Sequence, residues 1–397
     1  MRFRISAVQC KGGESMAFET LEQLSAKRFP TKSDAESKLL RRSQNGDLMP
    51  SLETVRGNND LAKADHWDNT RTIRASFIHW LCTNQDARKF IDSRGIQTFG
   101  AKIEGELILS YVKLPFPLSF WCCRFMTYVE MRCLEVPELD LQGSWVEFLE
   151  ADRMKVTGNF FLRYGNVNRC LSIAGAQIGG DLALTGCALS KAQAKGSIAP
   201  KNVALNADRV VIHGAAFLRE GFSANGDVRF PGAQIGCELD CSNATFLGNV
   251  NLNEAVINGA FIWTGIKAPA MTSLSLSDAR LSSIRDDKNS WPPKGHLWLD
   301  GLTYRDFSTN STKDYNQAAV SDRIDWLSRA ASFSPQPYEQ LAQVFRDHGD
   351  AEGSRRILVE MERRLRGRAW YDKPESAVLD SAIGYGYYPG NAIWGAR

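Results

Sequence analysis

The stretch GAQIGGDLALTGCAL, from Gly175 to Leu189, and the stretch GAQIGCELDCSNATF, from Gly232 to Phe246, share few residues beyond GAQIG, yet they place their apolar side chains at identical offsets. Counted from Ala176, the positions are Ala176, Ile178, Leu182, Leu184, Cys187 and Leu189, at offsets 0, 2, 6, 8, 11 and 13. Ala233, Ile235, Leu239, Cys241, Ala244 and Phe246 repeat them, as do Ala101, Ile103, Leu107, Leu109, Val112 and Leu114. The frame runs on to Val136, giving an 11-residue unit made of a five-residue and a six-residue step. An 11-residue apolar period also marks right-handed coiled coils. Here the members of each pair sit two apart, which is one face of a strand and nearly opposite faces of a helix. Pro115, Pro117, Pro137 and Pro231 fall within the frame and Gly179 adjoins Gly180, so no long helix survives there. Nor is this the LxxLxL core of a leucine-rich repeat. What fits is a solenoid of very short strands, each turning two side chains inward before a sharp corner. Four such sides make a coil of about 22 residues, stacked on the next at about 4.8 Å.

The Ala-x-Ile, Ala-x-Phe and Cys-x-Phe pairs set a small residue before a larger apolar one, and in this the chain resembles the pentapeptide-repeat family. The six-residue step and Leu at many first positions depart from that family's pattern, so the resemblance is to a degenerate member. It implies a right-handed quadrilateral β-helix. The expected fold is therefore mainly β: a pentapeptide-repeat-like solenoid over 97–304 with an α-helical N-terminal cap and a C-terminal helical hairpin. Leu274 with Leu276 and Ala279 with Leu281 extend the stack, and HLWLDGLTY, His296 to Tyr304, supplies a final side. SKAQAKGSIAP, Ser190 to Pro200, lacks periodicity and reads as a loop insertion bounded at 190–202.

Both ends of such a stack expose unpaired backbone that must be covered. Residues 1–96 are read as the N-terminal cap, partly disordered. TRTIRASFIHWLCT sets Ile73, Phe77, Trp80 and Leu81 at helical spacing, whereas the first 60 residues are polar and weakly patterned, with Met1 or Met16 as the start. Residues 305–371 read as helical: RIDWLSRAA, then a hairpin that resembles a tetratricopeptide unit. In that hairpin Pro337 lies in a first turn and Tyr338, Leu341 and Phe345 form one stripe. Gly349 and Asp350 mark the turn, and Ile357, Leu358, Met361 and Leu365 form the next stripe. Residues 372–397 read as a juxtamembrane-like tail.

Lys plus Arg number 48 against 45 Asp plus Glu, and residues 97–304 hold 20 acidic and 19 basic side chains, so the rod lacks the uniform negative field of a DNA mimic. No nucleic-acid partner is expected. Nine cysteines with no CxxC metal pair read as reduced thiols of a cytoplasmic protein. No basic segment followed by an apolar stretch opens the chain and no apolar run approaches about 18 residues, so neither a signal peptide nor a spanning helix is expected.

Motifs of chemistry are missing: no GxGxxG after a strand, no Walker loop, no HExxH and no GxSxG. His66, His79, His213, His296 and His348 stand far apart without metal-ligand spacing, and Cys123, Cys187 and Cys241 fall on inward repeat positions, so no cofactor and no metal are expected. Asp286, Asp287 and Asp300 surround SWPP, where a pair of carboxylates could serve acid–base chemistry or merely cap turns. If a pocket exists, domain junctions favour one between the last coil and the hairpin, around Trp291, Asp300 and Tyr338.

The run SWPPKGHLWLDGLTY from Ser290 to Tyr304, followed by PQPYEQLAQVFRDHGDAEGSRRILVEMERR, resembles a bacterial family labelled membrane-associated oxidoreductase. Its members join a degenerate β-helix to this helical segment and then enter transmembrane helices. GYGYYPGNAIW at 384–394 is similar to their entry sequence, and no transmembrane part is expected within these 397 residues; the resemblance covers about 100–394. It implies a membrane association, and an oxidoreductase label that no cofactor motif accompanies. Arg355, Arg356, Arg363, Arg364, Arg366 and Arg368 oppose Glu360 and Glu362, either as a solvated helix face or as basic residues facing an anionic membrane surface. Tyr385, Tyr387, Tyr388 and Trp394 are residue types of a membrane interface. The functional expectation is a non-enzymatic scaffold or protein-interaction module for an unidentified protein partner, cytoplasmic and peripheral to the inner membrane, its oligomeric state left open. The alternatives are the sensor part of a membrane-linked defence or toxin effector, and an enzyme whose pocket lies at the junction.

Overall fold

The computed structural model of the chain describes residues 20–47, 49–50, 59–191, 201–307 and 317–369. The two-apart pairs become rungs of parallel ladders, and the fold is a mainly β solenoid of about nine turns with helices at both ends. On the first of its four sides Ile96, Leu118, Leu139, Phe160, Leu182, Ala216, Leu239, Phe261, Ile284 and Phe307 stand in register, one per coil. On the fourth, Val136, Val156, Ile178, Ile212, Ile235, Ile257, Leu281 and Tyr304 do the same. All are buried in one core that extends from Leu21 to Met361. Inward stacking is what selects the period: each apolar side chain meets its counterpart above and below, and burying one contributes about 1.5–3 kcal/mol.

The alternation of five and six has a geometric cause. Between the third and fourth sides the corner residue is left-handed in every coil: Tyr111, Cys133, Arg153, Gly175, Arg209, Gly232, Glu254, Asp278 and Gly301. The next residue's amide bonds back across the corner, as in Val112 to Leu109 (3.3 Å) and Ala255 to Leu252 (3.1 Å). This is a tight turn with positive φ at its third position, so only two residues separate the inward pairs. The corner between the first and second sides is built likewise, through Gly100, Cys122, Gly143, Tyr164, Gly186, Glu220, Asn243 and Gly265. The remaining two corners are in most coils one residue longer.

Leu182 pairs with Ala216, 34 positions on, whereas the other rungs of the first side lie 21–23 apart. The extra chain departs after the second-side strand Ala188–Ser190 and returns at Val203–Asn206 on the third. The expected insertion at 190–202 thus sits at a long corner, and its residues 192–200 lie outside the described ones.

Four helices close the N-terminal end: α1 (Leu21–Arg28), α2 (Asp34–Asn45), α3 (Ala75–Thr83) and α4 (Gln85–Arg88). Both α1 and α2 begin in reciprocal capping boxes, Thr20 with Gln23 and Ser33 with Glu36. Phe77 and Leu81 are buried as the helical spacing requires. Ile73 departs from that reading, since Thr72–Arg74 is a strand, the first rung of the second side, paired with Lys102–Glu104. The solenoid therefore reaches beyond 97–304, with strands from Ile96 to Phe307 besides this early rung.

Glu36 ties the cap to that rung. It is only 1 % exposed and accepts from the Ser33 amide (3.0 Å), the Arg74 amide (3.0 Å) and the Arg74 guanidinium (2.7 and 2.6 Å). Burial alone raises its pKa, but the Arg74 hydrogen bonds, the two amides and the Arg74 charge outweigh this and hold it below the usual carboxylate range. A depressed carboxyl contributes stability above its unfolded pKa of about 4.3 and loses it as pH falls through the folded value. Below about pH 4 the N-terminal helices are expected to detach first. Glu36→Gln should flatten that acid limb and cost about 1–3 kcal/mol at pH 7, read from far-UV circular dichroism melts against pH.

The other end is covered by α5 (Gln317–Ser328), α6 (Gln336–Asp347) and α7 (Ala351–Ala369). Gln336 donates to the Leu302 carbonyl (3.0 Å) and accepts from the Gly301 amide (3.0 Å), while Gln340 donates to the Tyr304 carbonyl (2.8 Å). Side-chain amides thus satisfy backbone groups of the last rung that no further strand pairs. Tyr338, Leu341 and Phe345 are buried, as are Ile357 and Met361, but Leu365 at the end of the same stripe is 43 % exposed.

Candidate functional site

The residues expected to frame a junction pocket are placed in three different settings. Trp291 is buried, its Nε1 donating to Asp286 Oδ2 (2.8 Å) and its ring approached by Arg323 and Arg329. Tyr338 is buried on α6 beside Phe333, and burial pushes its phenol up to about 12. Asp300 stands near the left-handed corner and accepts from Ser332 Oγ at 3.5 Å. A concavity of about 270 Å³ does open where the last coils meet α6, but its polar lining includes Asn258, Arg280, Ser282, Thr303, Arg305 and Gln340, on the outer surface of the fourth side. Asp286 and Asp287 are likewise occupied: the first by Arg323 and Trp291, the second by the Gly265 amide (2.7 Å) and Ser290.

The basic helix face is largely paired within itself. Arg355 meets Glu352, Arg363 and Arg364 meet Glu360, and Arg366 meets Glu362, at 2.8–4.0 Å, while Arg356 donates to Ser321. The side chain of Arg368 and the tail 370–397 lie outside the described residues. Among the described residues no helix is long and apolar enough to cross a membrane. His79, His213, His296 and His348 bond to four separate neighbours, and among the described residues no metal-holding group of His, Cys, Asp or Glu occurs.

The thiols behave as the inward reading requires. Cys123, Cys187 and Cys241 are buried in the prism and Cys237, at a corner, is exposed. Burial pushes Cys82, Cys123 and Cys170 up to about 12 and raises Cys187 and Cys241 as well, so their nucleophilic thiolates are suppressed. A thiol-directed reagent at pH 8, with sites assigned by mass spectrometry, should label Cys237 in the folded protein and these five only after denaturation.

The outward residues of the first side form the feature that inward reading missed. In register from coil to coil they are Ser119, Asp140, Phe161, Ala183, Phe217, Asp240, Ile262 and Arg285. Two residues along each strand stand Gln142, Arg163, Thr185, Arg219 and Ser242. The Arg163 guanidinium lies over the Phe161 ring and that of Arg219 over Phe217, each at 4.5 Å. Ala183 and Thr185 lie buried between these two units. Arg219 is paired with Asp240 at 2.8 Å, whereas Arg163 forms no ion pair among the described residues. The signal was present as a repeated tripeptide, FLR at 161–163 and again at 217–219, whose central Leu162 and Leu218 point inward.

The third side differs in kind. Its polar residues bond to one another across coils: Ser110 to Glu130 (2.7 Å), Ser172 to Asp152 (2.5 Å), Asn206 to Ser172 (3.1 Å) and Arg229 to Asp208 (3.0 and 2.6 Å). Comparison with protein-family models, curated proteins and solved structures finds no match for the chain.

Proposed function

We propose that the protein is a non-enzymatic β-solenoid scaffold whose first side docks a protein partner through the paired Phe-x-Arg units. One observation carries the reading: two identical aromatic–guanidinium units flank the small Ala183 and Thr185 on a flat, rigid ladder. Aromatic residues and Arg supply much of the energy at protein interfaces, and rings fixed by neighbouring coils lose little freedom on binding. Among the described residues Arg163 forms no ion pair, Asp140 reaching it through charge alone, so the matching chemistry is an acidic side chain beside an apolar one. The internally bonded third side offers less, since a partner there must replace hydrogen bonds already made.

Capture from the native host with the tagged full chain tests this. A partner retained by the wild type and by the third-side variant Asn251→Ala, but reduced at least about ten-fold by both Phe161→Ala/Phe217→Ala and Arg163→Glu, supports the assignment, since ten-fold is about 1.4 kcal/mol. Equal retention by all four proteins sinks it.

A further inference from the structure

A groove of about 390 Å³ lies where α2 and the loop ending at Arg71 meet the first rung, within the size range of small-ligand sites. Among the described residues its polar lining consists of Lys38, Arg42, Asn59, Thr70, Arg71 and Thr98, with no carboxylate. Arg42 lies 4.6 Å over the Phe99 ring and Arg71 3.5 Å over Trp67, so both guanidinium planes are held by stacking. Arg71 is further fixed by donating to the Gly100 carbonyl (2.9 Å) and to Asn59 Oδ1. Among the described residues neither Lys38 nor Arg42 forms an ion pair, and the buried Nε of Arg42 has no hydrogen-bond partner.

The carboxylates around the groove are spent elsewhere or act only at a distance. Asp68 accepts from the Thr70 amide (2.9 Å) and hydroxyl (2.6 Å) and reaches Arg71 through charge, Glu36 is taken by Arg74, and Asp47 reaches Arg42 through charge alone. Burial pushes both Arg42 and Arg71 below the usual arginine range, the mark of cations withdrawn from water without full compensation. Removing cations from water is costly unless an opposite charge repays it. Lys38 and Arg42 stand one turn apart on α2 and Arg71 faces them from the loop, so their donors approach from two elements rather than forming one planar fork. A tetrahedral dianion matches that arrangement better than a carboxylate does.

We infer that this groove is a phosphate-binding site, taking inorganic phosphate or a phosphomonoester through Lys38, Arg42 and Arg71. The inference does not depend on the scaffold reading. Isothermal titration of the full chain with inorganic phosphate, with glycerol phosphate and with acetate, at matched ionic strength, tests it. Saturable binding of one or both phosphates is expected, weakened at least about ten-fold, or 1.4 kcal/mol, by Arg42→Gln and by Lys38→Gln. Lys38 is exposed on α2, so its variant keeps the test valid even if Arg42→Gln loosens the cap. Binding of glycerol phosphate alone assigns the ester, and of inorganic phosphate the free ion. The inference fails if neither phosphate saturates below about 10 mM, if both variants bind like the wild type, or if acetate binds as tightly as phosphate.

Discussion

Trp263→Ala is expected to cost about 4 kcal/mol and to loosen the C-terminal coils before the N-terminal ones. The indole is an inward side chain of the first side, 2 % exposed, stacked on Phe246 with centroids 5.1 Å apart and planes 11° from parallel, and 5.7 Å from Phe261. Its Nε1 donates to the Ser290 carbonyl at 2.8 Å. Truncation removes a large buried side chain, leaves a cavity that rigid rungs cannot collapse into, and strips a buried carbonyl of its donor. In a solenoid each coil rests only on its neighbours, so the damage is concentrated at one inter-coil interface. Hydrogen exchange should therefore rise from about residue 256 through the helical end while the coils around Leu139 stay protected. Trp263→Phe retains the stacking on Phe246 and should cost about half as much. A urea midpoint within experimental error of the wild type would show that the indole does not hold these coils together, and exchange that rises equally in every coil would show that stability is shared along the whole solenoid rather than between neighbours.

The four-sided prism was legible because inward residues are under the strongest constraint: a two-apart pair that meets its own counterpart in the next coil cannot drift. What hid the corners is their composition. Six of the nine left-handed positions between the third and fourth sides, Tyr111, Cys133, Arg153, Arg209, Glu254 and Asp278, are not glycine, so no glycine column advertises the turn. The helices α1 and α2 were not located individually within the expected helical cap because short polar segments carry little apolar period, although TLEQ and SDAE, each with its N-cap and its N3 partner, spelled out both capping boxes. Ile73 was misread because a three-residue strand beside a real helix mimics one more helical turn. The first-side units were hidden differently. Phe161 and Phe217 become near neighbours only after the extra chain between Leu189 and Leu205 is set aside, and outward positions obey no period that would prompt this. Trp291, Asp300 and Tyr338 were grouped because domain junctions favour pockets, and the concavity described where the last coils meet α6 is lined by other residues, Arg280, Thr303 and Gln340 among them.

The attachment of that cap should depend on a single buried ion pair. Asp286, on the first side near the last coil, is 3 % exposed and takes both arms of Arg323 from α5, at 2.8 and 2.6 Å, together with the Trp291 indole. Arg323 is 13 % exposed and its guanidinium lies 3.6 Å over Phe307, the last inward residue of the first side. Arg323→Ala leaves a carboxylate buried without its cation, and Asp286→Ala leaves the reverse, so each is expected to cost about 3–5 kcal/mol. The double variant should cost clearly less than the sum, because removing both charges abolishes the unpaired-ion penalty. The exposed pairs of α7, such as Arg355 with Glu352, provide the contrast, since charge neutralisation there should change stability by under about 1 kcal/mol. Salt separates the two cases further: about 0.5 M sodium chloride screens the exposed pairs and leaves the buried one almost untouched. A double-mutant cycle on urea unfolding, with limited proteolysis reporting release of α5, measures the coupling. Strict additivity of the two single variants would mean that packing of Trp291, Phe307 and Trp326, rather than the charge pair, holds the cap on the solenoid.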